Sequence, residues 1–262
     1  MVDVGRTIWH GCHTLRHDGI DETDYLDQMT MLLFLKMSSE LGLNKATRNE
    51  WSRLWEAPNS LILSLYAETL RNLSKCDGII GDIFKEARSC FGRPESLKHV
   101  MGLLNPIVWT SLDKDVQGDV FEYLLEKAAS GGKKGAGQYF TPRPLVQVLV
   151  QCVQPGASRD DNRIGDVAAG TGGFLLGAYM WLKRQHDNGM PMRSFPSYEG
   201  IELVPRVRRL ALMNLLLHGV QSPRIEVADA LGSTKSQPKF DVIITNPPFG
   251  SKGSTLIDHD EY

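Results

Sequence analysis

The sequence predicts an α+β protein of two domains, an N-terminal all-α domain at residues 1–130 and an α/β domain at residues 131–262. Three observations predict this division. Apolar residues recur at helical spacing as far as Ser130. A run of glycines and lysines then indicates a solvated connector at residues 130–137. Strand and helix signals alternate after it, which indicates a parallel sheet joined by right-handed helical crossovers.

The composition excludes several classes of protein. The 262 residues are 42% hydrophobic and 23% charged, with a net charge of −2, which is typical of a globular protein with a substantial core. This near-neutral charge argues against a strongly basic, self-sufficient nucleic-acid binder, so DNA affinity would come from local patches or from a partner. The longest apolar run, residues 29–37, is too short to span a bilayer. Four scattered cysteines without a CxxC pair favour a reducing cytoplasm and no metal site.

The N-terminal half is predicted to consist of helices that each bury one apolar face. Their limits follow from capping residues and glycines. The predicted helices run from a cap at Asp21 or Thr23 to Gly42, from a cap at Asn59 or Ser60, over 79–91, over 95–104 and from Asp115.

The C-terminal half is predicted to alternate between strands and helices. The predicted strands are 163–167, 198–202, 224–227 and 240–245, and the predicted helices are 144–153, 173–186 and 204–218.

The first candidate site is the run Asp-Val-Ala-Ala-Gly-Thr-Gly-Gly at residues 166–173, where the first strand ends and a helix begins. Glycines at such a point let the backbone approach a ligand closely. The spacing is neither GxGxxG nor that of a P-loop, since no Lys-Ser/Thr pair follows, so a dinucleotide fingerprint and a P-loop are both disfavoured. A tight connection without a ligand is the alternative interpretation.

Acidic residues follow the next two strands. A carboxylate at the end of the second strand, Glu202, is placed to accept hydrogen bonds from ribose hydroxyls, and a solvated strand-end acid is the alternative. Asp229, just past the third strand, lies at the edge where ligands bind and would accept from the exocyclic amine of an adenine ring. A helix N-cap is the competing role for Asp229.

The most specific signal is Asn246-Pro247-Pro248-Phe249, directly after the β-branched run at residues 242–244. Successive prolines stop the strand and fix the backbone. They leave a side-chain amide and a carbonyl that no sheet partner needs, next to an aromatic ring. Asn-Pro is also common in simple turns, but its place in this sheet favours a functional role.

Together these motifs resemble those of the S-adenosylmethionine-dependent amino-methyltransferases. Further motifs at 118–124 (GDVFEYL), 137–143 (GQYFTPR) and 213–219 (MNLLLHG) are similar to those of the modification (M) subunits of type I restriction–modification systems. Residues 32–37 (LLFLKM) look like the helical domain of those subunits. The resemblance therefore implies an all-α domain followed by a partial α/β Rossmann-like methyltransferase domain.

What the resemblance implies is site-specific methylation of adenine N6 in DNA, with S-adenosylmethionine as the methyl donor. Asn246 Oδ1 and the Pro247 carbonyl would accept the two N–H bonds of the adenine amine and localise its lone pair. Pro248 would fix this backbone, and Phe249 would stack on a base flipped out of the duplex. No metal, covalent nucleophile or strong base is required.

The resemblance also implies how the cofactor is held. Gly170 and Gly172 would approach its methionine end, Glu202 its ribose and Asp229 its adenine, while Phe140 and Thr141 would close the pocket. The complete set of implied cofactor-binding residues is Tyr139, Phe140, Thr141, Asp166, Gly170, Thr171, Gly172, Gly173, Glu202 and Asp229.

The implied partners are double-stranded DNA and the specificity and restriction subunits of a type I complex, with a second M subunit as a further candidate. Family members extend well beyond the Asn-Pro-Pro-Phe motif, so the chain is expected to be C-terminally truncated. A contiguous 3-2-1-4 sheet is expected, with residues 242–244 at an uncovered edge.

Two alternatives to this function stay open. One is a catalytically incompetent fragment that binds cofactor or partner subunits. The other is a protein-glutamine N-methyltransferase, which the 137–143 motif and the helical domain disfavour.

Overall fold

The computed structural model describes residues 2–12, 22–112, 114–131, 140–155, 163–189, 195–230, 232 and 239–247. The chain divides into two compact units, Met1–Gly137 and Gln138–Tyr262. The predicted fold class is confirmed, because one unit is helical and the other contains a parallel sheet. The predicted boundary at residue 130 stays a prediction, since residues 132–139 lie outside the described ones. The helix before it continues through Gly131, so the first part of the predicted connector is helical.

The described part of the first unit consists of helices and two short 3-10 turns. Among the described residues, no helix is long and apolar enough to cross a membrane. The elements are α1 (Val2–Cys12), α2 (Glu22–Leu41), a 3-10 turn (Lys45–Thr47), α3 (Glu50–Glu56), α4 (Asn59–Leu73), α5 (Ile79–Phe84), α6 (Pro94–Leu104), a 3-10 turn (Trp109–Ser111) and α7 (Lys114–Gly131).

The core of this unit is organised around α2, which is buried on every side over residues 27–38. A helix that is enclosed all round needs apolar residues on all faces, and the run Met-Leu-Leu-Phe-Leu within α2 supplies them. Its polar residues have partners: Lys36 forms an ion pair with Glu40, and Gln28 Nε2 donates to the Arg88 carbonyl at 2.7 Å. Pairing of this kind is what permits a buried charge or amide.

The helix predictions for this unit need four corrections. Thr23 lies inside α2, which begins at Glu22, so it does not cap this helix. Asn59 lies inside α4 and Pro58 occupies the N-cap position, so neither Asn59 nor Ser60 caps this helix. α5 ends at Phe84 rather than at residue 91, because Glu86 takes a φ of 60°, which ends the helical ladder. α3 was not predicted. The end of α2 before Gly42, which has a φ of 64°, is as predicted.

The second unit is a parallel sheet with crossover helices. The strand order is β3-β2-β1-β4, which confirms the predicted order. Its elements are α8 (Arg143–Val153), β1 (Arg163–Asp166), α9 (Gly173–Asp187), β2 (Ser197–Glu202), α10 (Pro205–Leu217), β3 (Arg224–Val227) and β4 (Val242–Ile243).

The last strand is shorter than the predicted range 240–245. β4 contains Val242 and Ile243, which pair with Ile164 and Gly165 of β1. The Ile244 N–H still donates to the Gly165 carbonyl at 3.0 Å, so hydrogen bonding to β1 continues one residue beyond Ile243. The Ile243 side chain is 54% exposed. Apolar residues on one face of α8 are also exposed, namely Leu145, Val148, Leu149 and Val153.

Candidate active site

The candidate site lies along one edge of the sheet. Because all its strands are parallel, their carboxyl ends meet at this edge, where α/β folds bind ligands. Asp166 ends β1, Glu202 ends β2, and Asp229 lies two residues after β3. Asn246 and Pro247 follow β4, the neighbour of β1. The predicted site residues that the structure describes are thus brought to one edge.

The turn between β1 and α9, residues 167–172, is here called the glycine turn. From Ala168 to Gly172, each of its residues has a hydrogen bond through its backbone. The bonds are Ala168 N to Asp166 Oδ1 (3.1 Å), Ala169 N to Ile201 O (2.9 Å), Gly170 N to Glu202 Oε2 (3.0 Å), Asn214 Nδ2 to Thr171 O (3.0 Å) and Gly172 N to Ala169 O (2.8 Å). A turn that is held at every residue keeps its shape before a ligand arrives.

Glycine is required at specific points of this turn. Gly170 and Gly172 have φ values of 53° and 80°, in the left-handed region that side chains disfavour. A Cβ added to Gly172 would also lie 3.3 Å from Leu215 Cγ. The glycine spacing in the sequence therefore reflects both the backbone conformation and the close approach of α10.

Glu202 is a buried acid that binds the glycine turn. Its Oε2 accepts from Gly170 N, and its Oε1 accepts from Val204 N at 2.8 Å. Burial raises its pKa, while these backbone bonds act in the opposite direction. The alternative interpretation of Glu202 as a solvated acid is wrong, since it is 6% exposed. Carboxylate oxygens have more than one lone pair, so these bonds leave acceptor capacity for hydroxyls.

Asp166 is the second buried acid at this edge, and it is 1% exposed. Burial raises its pKa to about 6, and the nearby Glu202 carboxylate adds to the effect. Negative charge at this point is therefore costly unless something positive compensates for it. A ligand with a positive charge is what this pair of acids would favour.

The segment after β4 becomes exposed at Asn246, after the buried Ile244 and the half-buried Thr245. Asn246 and Pro247 both lie at the surface, and Asn246 Nδ2 donates to Thr141 Oγ1 at 3.5 Å. With Nδ2 directed at Thr141, the other end of the amide, Oδ1, is directed away from it. Thr141 and Phe140 are half-buried. Tyr139, Pro248 and Phe249 lie outside the described residues, so their predicted roles stay predictions.

The remaining predicted residues differ in their surroundings. Asp229 is exposed, and its carbonyl accepts from Gly232 N at 3.2 Å. Thr171 is buried within the glycine turn, and Gly173 begins α9. The contact of Asn214 with Thr171 was not predicted, because the two residues are 43 positions apart and no local pattern connects them.

The fold and the site define a class of protein. A parallel sheet of this order, with a glycine turn after its first strand and an acid after its second, has the Rossmann-like fold of methyltransferases. Residues 112–262 match the model of the N-6 DNA Methylase family, and the chain belongs to that family. The resemblance stated from the motifs is thereby confirmed.

Individual relatives agree with this assignment. In alignments of 277 positions, gaps included, the chain is 33% identical to the type I restriction enzyme StySPI methylase subunit of Salmonella potsdam and 32% identical to the EcoKI methylase subunit of Escherichia coli K12. Each alignment covers 97% of this chain and 52% of the relative. The chain thus spans about half the length of the curated relatives it matches.

Solved structures show the same fold. A chain from a structural study of assembly and conformational transition in the type I R-M system superposes with a TM-score of 0.70 at 26% identity. It is matched over 95% of this chain and 55% of its own length. A type I methyltransferase subunit from Streptococcus thermophilus has a TM-score of 0.71 at 20% identity. The match covers 94% of this chain and 63% of that subunit.

Proposed function

We propose that the protein is the modification subunit of a type I restriction–modification system and methylates adenine N6 in DNA. The observation that carries the proposal is the pairing of β1 with β4, which places the glycine turn and Asn246-Pro247 at the ends of adjacent strands. One end suits a cofactor and the other an exocyclic amine. Membership of the N-6 DNA Methylase family supports the same reaction.

The described residues fit S-adenosylmethionine. Its sulfonium and ammonium groups are positive, and the buried acids Asp166 and Glu202 disfavour negative charge unless such groups offset it. Glu202 retains acceptor capacity for ribose hydroxyls, and Asp229 lies exposed at the same edge, where it would accept from an adenine amine. When bound, the cofactor supplies a methyl group on a positively charged sulfur that leaves as a neutral thioether.

Asn246 and Pro247 would activate the nucleophile. The amine of adenine is weakly nucleophilic because its lone pair is delocalised into the ring. Asn246 Oδ1 and the Pro247 carbonyl would accept hydrogen bonds from its two N–H groups and localise the lone pair on the nitrogen, where positive charge develops. The nitrogen would form its bond to the methyl carbon as the carbon–sulfur bond breaks, and the methylated amine would then lose one proton to solvent. The orientation of Asn246 with Nδ2 toward Thr141 supports Oδ1 as the acceptor. Phe249 would stack on the extruded base.

The proposed partners are double-stranded DNA and the specificity and restriction subunits. The named relatives are methylase subunits of type I restriction enzymes, and one matched structure comes from a study of complex assembly in such a system. A net charge of −2 agrees with a subunit whose grip on DNA depends on its assembly. We place the activity in the cytoplasm, in agreement with the scattered cysteines.

The test is transfer of a labelled methyl group from S-adenosylmethionine by the protein assembled with its specificity subunit. Duplex DNA and a mixture of proteins serve as competing substrates, and digestion of the DNA to nucleosides identifies the product. We expect the label in N6-methyladenine. Label in protein glutamine would instead support the glutamine methyltransferase. Cofactor binding without transfer to either substrate would support the incompetent fragment and overturn the proposal.

A further inference from the structure

One face of α10 meets the glycine turn. Ala211, Asn214 and Leu215 are three and four residues apart and therefore share a face of the helix. A Cβ on Gly172 would lie 3.3 Å from Leu215 Cγ and 3.5 Å from Ala211 Cβ, and Asn214 Nδ2 donates to the Thr171 carbonyl at 3.0 Å. This face thus packs against the turn and also donates a hydrogen bond to it.

The side chain of Asn214 has a buried polar atom that destabilises the fold. The residue is 1% exposed, and among the described residues its Oδ1 has no hydrogen-bond partner. A buried acceptor without a partner costs roughly 1–3 kcal/mol. Leucine has the same branching and would avoid this cost. Leucine would also leave the Thr171 carbonyl without this donor, so the two costs largely offset each other, and what an asparagine supplies here is the bond from Nδ2 to that carbonyl.

The C-terminal end of α10 fixes the position of Asn214. Gly219 has a φ of 96°, and the bonds Gly219 N to Leu216 O (3.1 Å) and Val220 N to Leu215 O (3.0 Å) close the helix. His218 Nδ1 lies 2.8 Å from the Asn214 carbonyl. The motif at 213–219, to which the sequence analysis assigned no role, thus consists of a helix end and the amide that it places.

We propose that Asn214 is a positioning residue for cofactor binding. By holding the Thr171 carbonyl, it keeps the glycine turn in the shape that receives the methionine end of S-adenosylmethionine. Glu202 holds the same turn from β2 through Gly170, so the turn is held from two sides. The inference rests on the proposed function, because that function supplies the ligand.

The main test is Asn214→Leu, with Met213→Leu as the matched control. Met213 is equally buried on the same helix, its side chain is turned by about 100° from that of Asn214, and a swap to leucine conserves its volume. Titration calorimetry with S-adenosylmethionine should give a dissociation constant raised by about tenfold for Asn214→Leu, the loss of one such bond. Melting temperatures of the ligand-free proteins should stay close to that of the wild type. The control should bind as the wild type does.

Two further measurements keep the inference testable if Asn214→Leu does not fold. Asn214→Asp keeps the shape and replaces the donor with an acceptor, so it should also weaken binding. In the wild-type protein, the side-chain amide protons of Asn214 should exchange slowly with deuterium even without ligand. Unchanged affinity in either folded variant, or fast exchange in the wild type, would overturn the inference. Failure of the wild type to bind S-adenosylmethionine would instead overturn the cofactor part of the proposed function.

Discussion

The two sides of the candidate site are held to different degrees. On the β1 side, the glycine turn has a backbone hydrogen bond at each residue from Ala168 to Gly172. On the β4 side, Asn246 and Pro247 are exposed, and the Asn246 amide reaches Thr141 over a long 3.5 Å. A fixed turn can receive a ligand without rearrangement, whereas an exposed amide gains its final direction when something binds. Under the proposed function, the β1 side is the cofactor side and is built in advance, whereas the β4 side is the base side and is completed by its substrate.

Asn246→Ala should give the largest effect, a loss of methyl transfer without a loss of cofactor affinity. Loss of one group that hydrogen-bonds the reacting atoms typically lowers the rate by about 10²–10³-fold. Affinity for S-adenosylmethionine should not change, because Asn246 has no bond to the glycine turn. Methyl transfer by the assembled complex and calorimetry measure the two quantities. Asn188→Ala, an exposed asparagine after the far end of α9, is the control. Equal losses of rate and cofactor affinity would contradict the division.

Asp166→Asn should stabilise the fold and weaken cofactor binding. A pKa raised from 3.8 to about 6 means that ionising this buried acid costs about 3 kcal/mol of stability. Because the folded state binds the proton more tightly, the stabilising contribution is full below the unfolded pKa and is lost as pH rises through about 6. Asparagine still accepts from Ala168 N but carries no charge to offset a cationic ligand.

Urea unfolding as a function of pH tests this prediction. The free energy of unfolding of Asp166→Asn should exceed that of the wild type increasingly as pH rises from about 4 to about 7. Asp187→Asn, an exposed acid at the end of α9, should show no such trend. A difference in the free energy of unfolding between variant and wild type that stays constant with pH would contradict the prediction. Tighter cofactor binding by Asp166→Asn would contradict it as well, because either result would show that the acid does not act through its buried charge.

Gly172→Ala should affect the cofactor side alone. The added Cβ meets a left-handed φ of 80° and Leu215, which strains the turn by about 1–2 kcal/mol. We expect the dissociation constant for S-adenosylmethionine to rise by about tenfold. Gly189→Ala is the matched control, since it has a φ of 93° but nothing within 4 Å of the added Cβ. If both variants weaken binding equally, local strain in the turn is not the cause.

Thr141→Val should give the smallest effect. It removes the hydroxyl that accepts from Asn246 Nδ2, and a bond of 3.5 Å is weak, so methyl transfer should fall by only about two- to fivefold. Thr141→Ser keeps the hydroxyl and should restore the rate. A loss as large as that of Asn246→Ala would show that the base side is held more firmly than its exposure indicates.

Local patterns predicted the part of the fold that carries the site. The β-branched run at 242–244 and the glycines after Asp166 predicted a strand and a turn. The strand order that makes β1 the neighbour of both β2 and β4 was implied by the family resemblance, and it is confirmed. What sequence reasoning missed depends on tertiary contacts. The early end of α5 follows from Glu86 at a φ of 60°, and the contact from Asn214 to Thr171 joins residues 43 positions apart. The roles of the site residues stay predictions until binding and transfer are measured.

The place of β4 as the last strand in the described part of the sheet has a practical consequence for work with the purified protein. Among the described residues β4 pairs with β1 alone, and the Ile243 side chain is 54% exposed. The apparent molecular mass from light scattering should therefore rise with protein concentration, since a strand from a second molecule fits there. Ile243→Lys would put a charge at this position without altering the glycine turn or Asn246, and it offers a monodisperse sample for calorimetry and crystallisation.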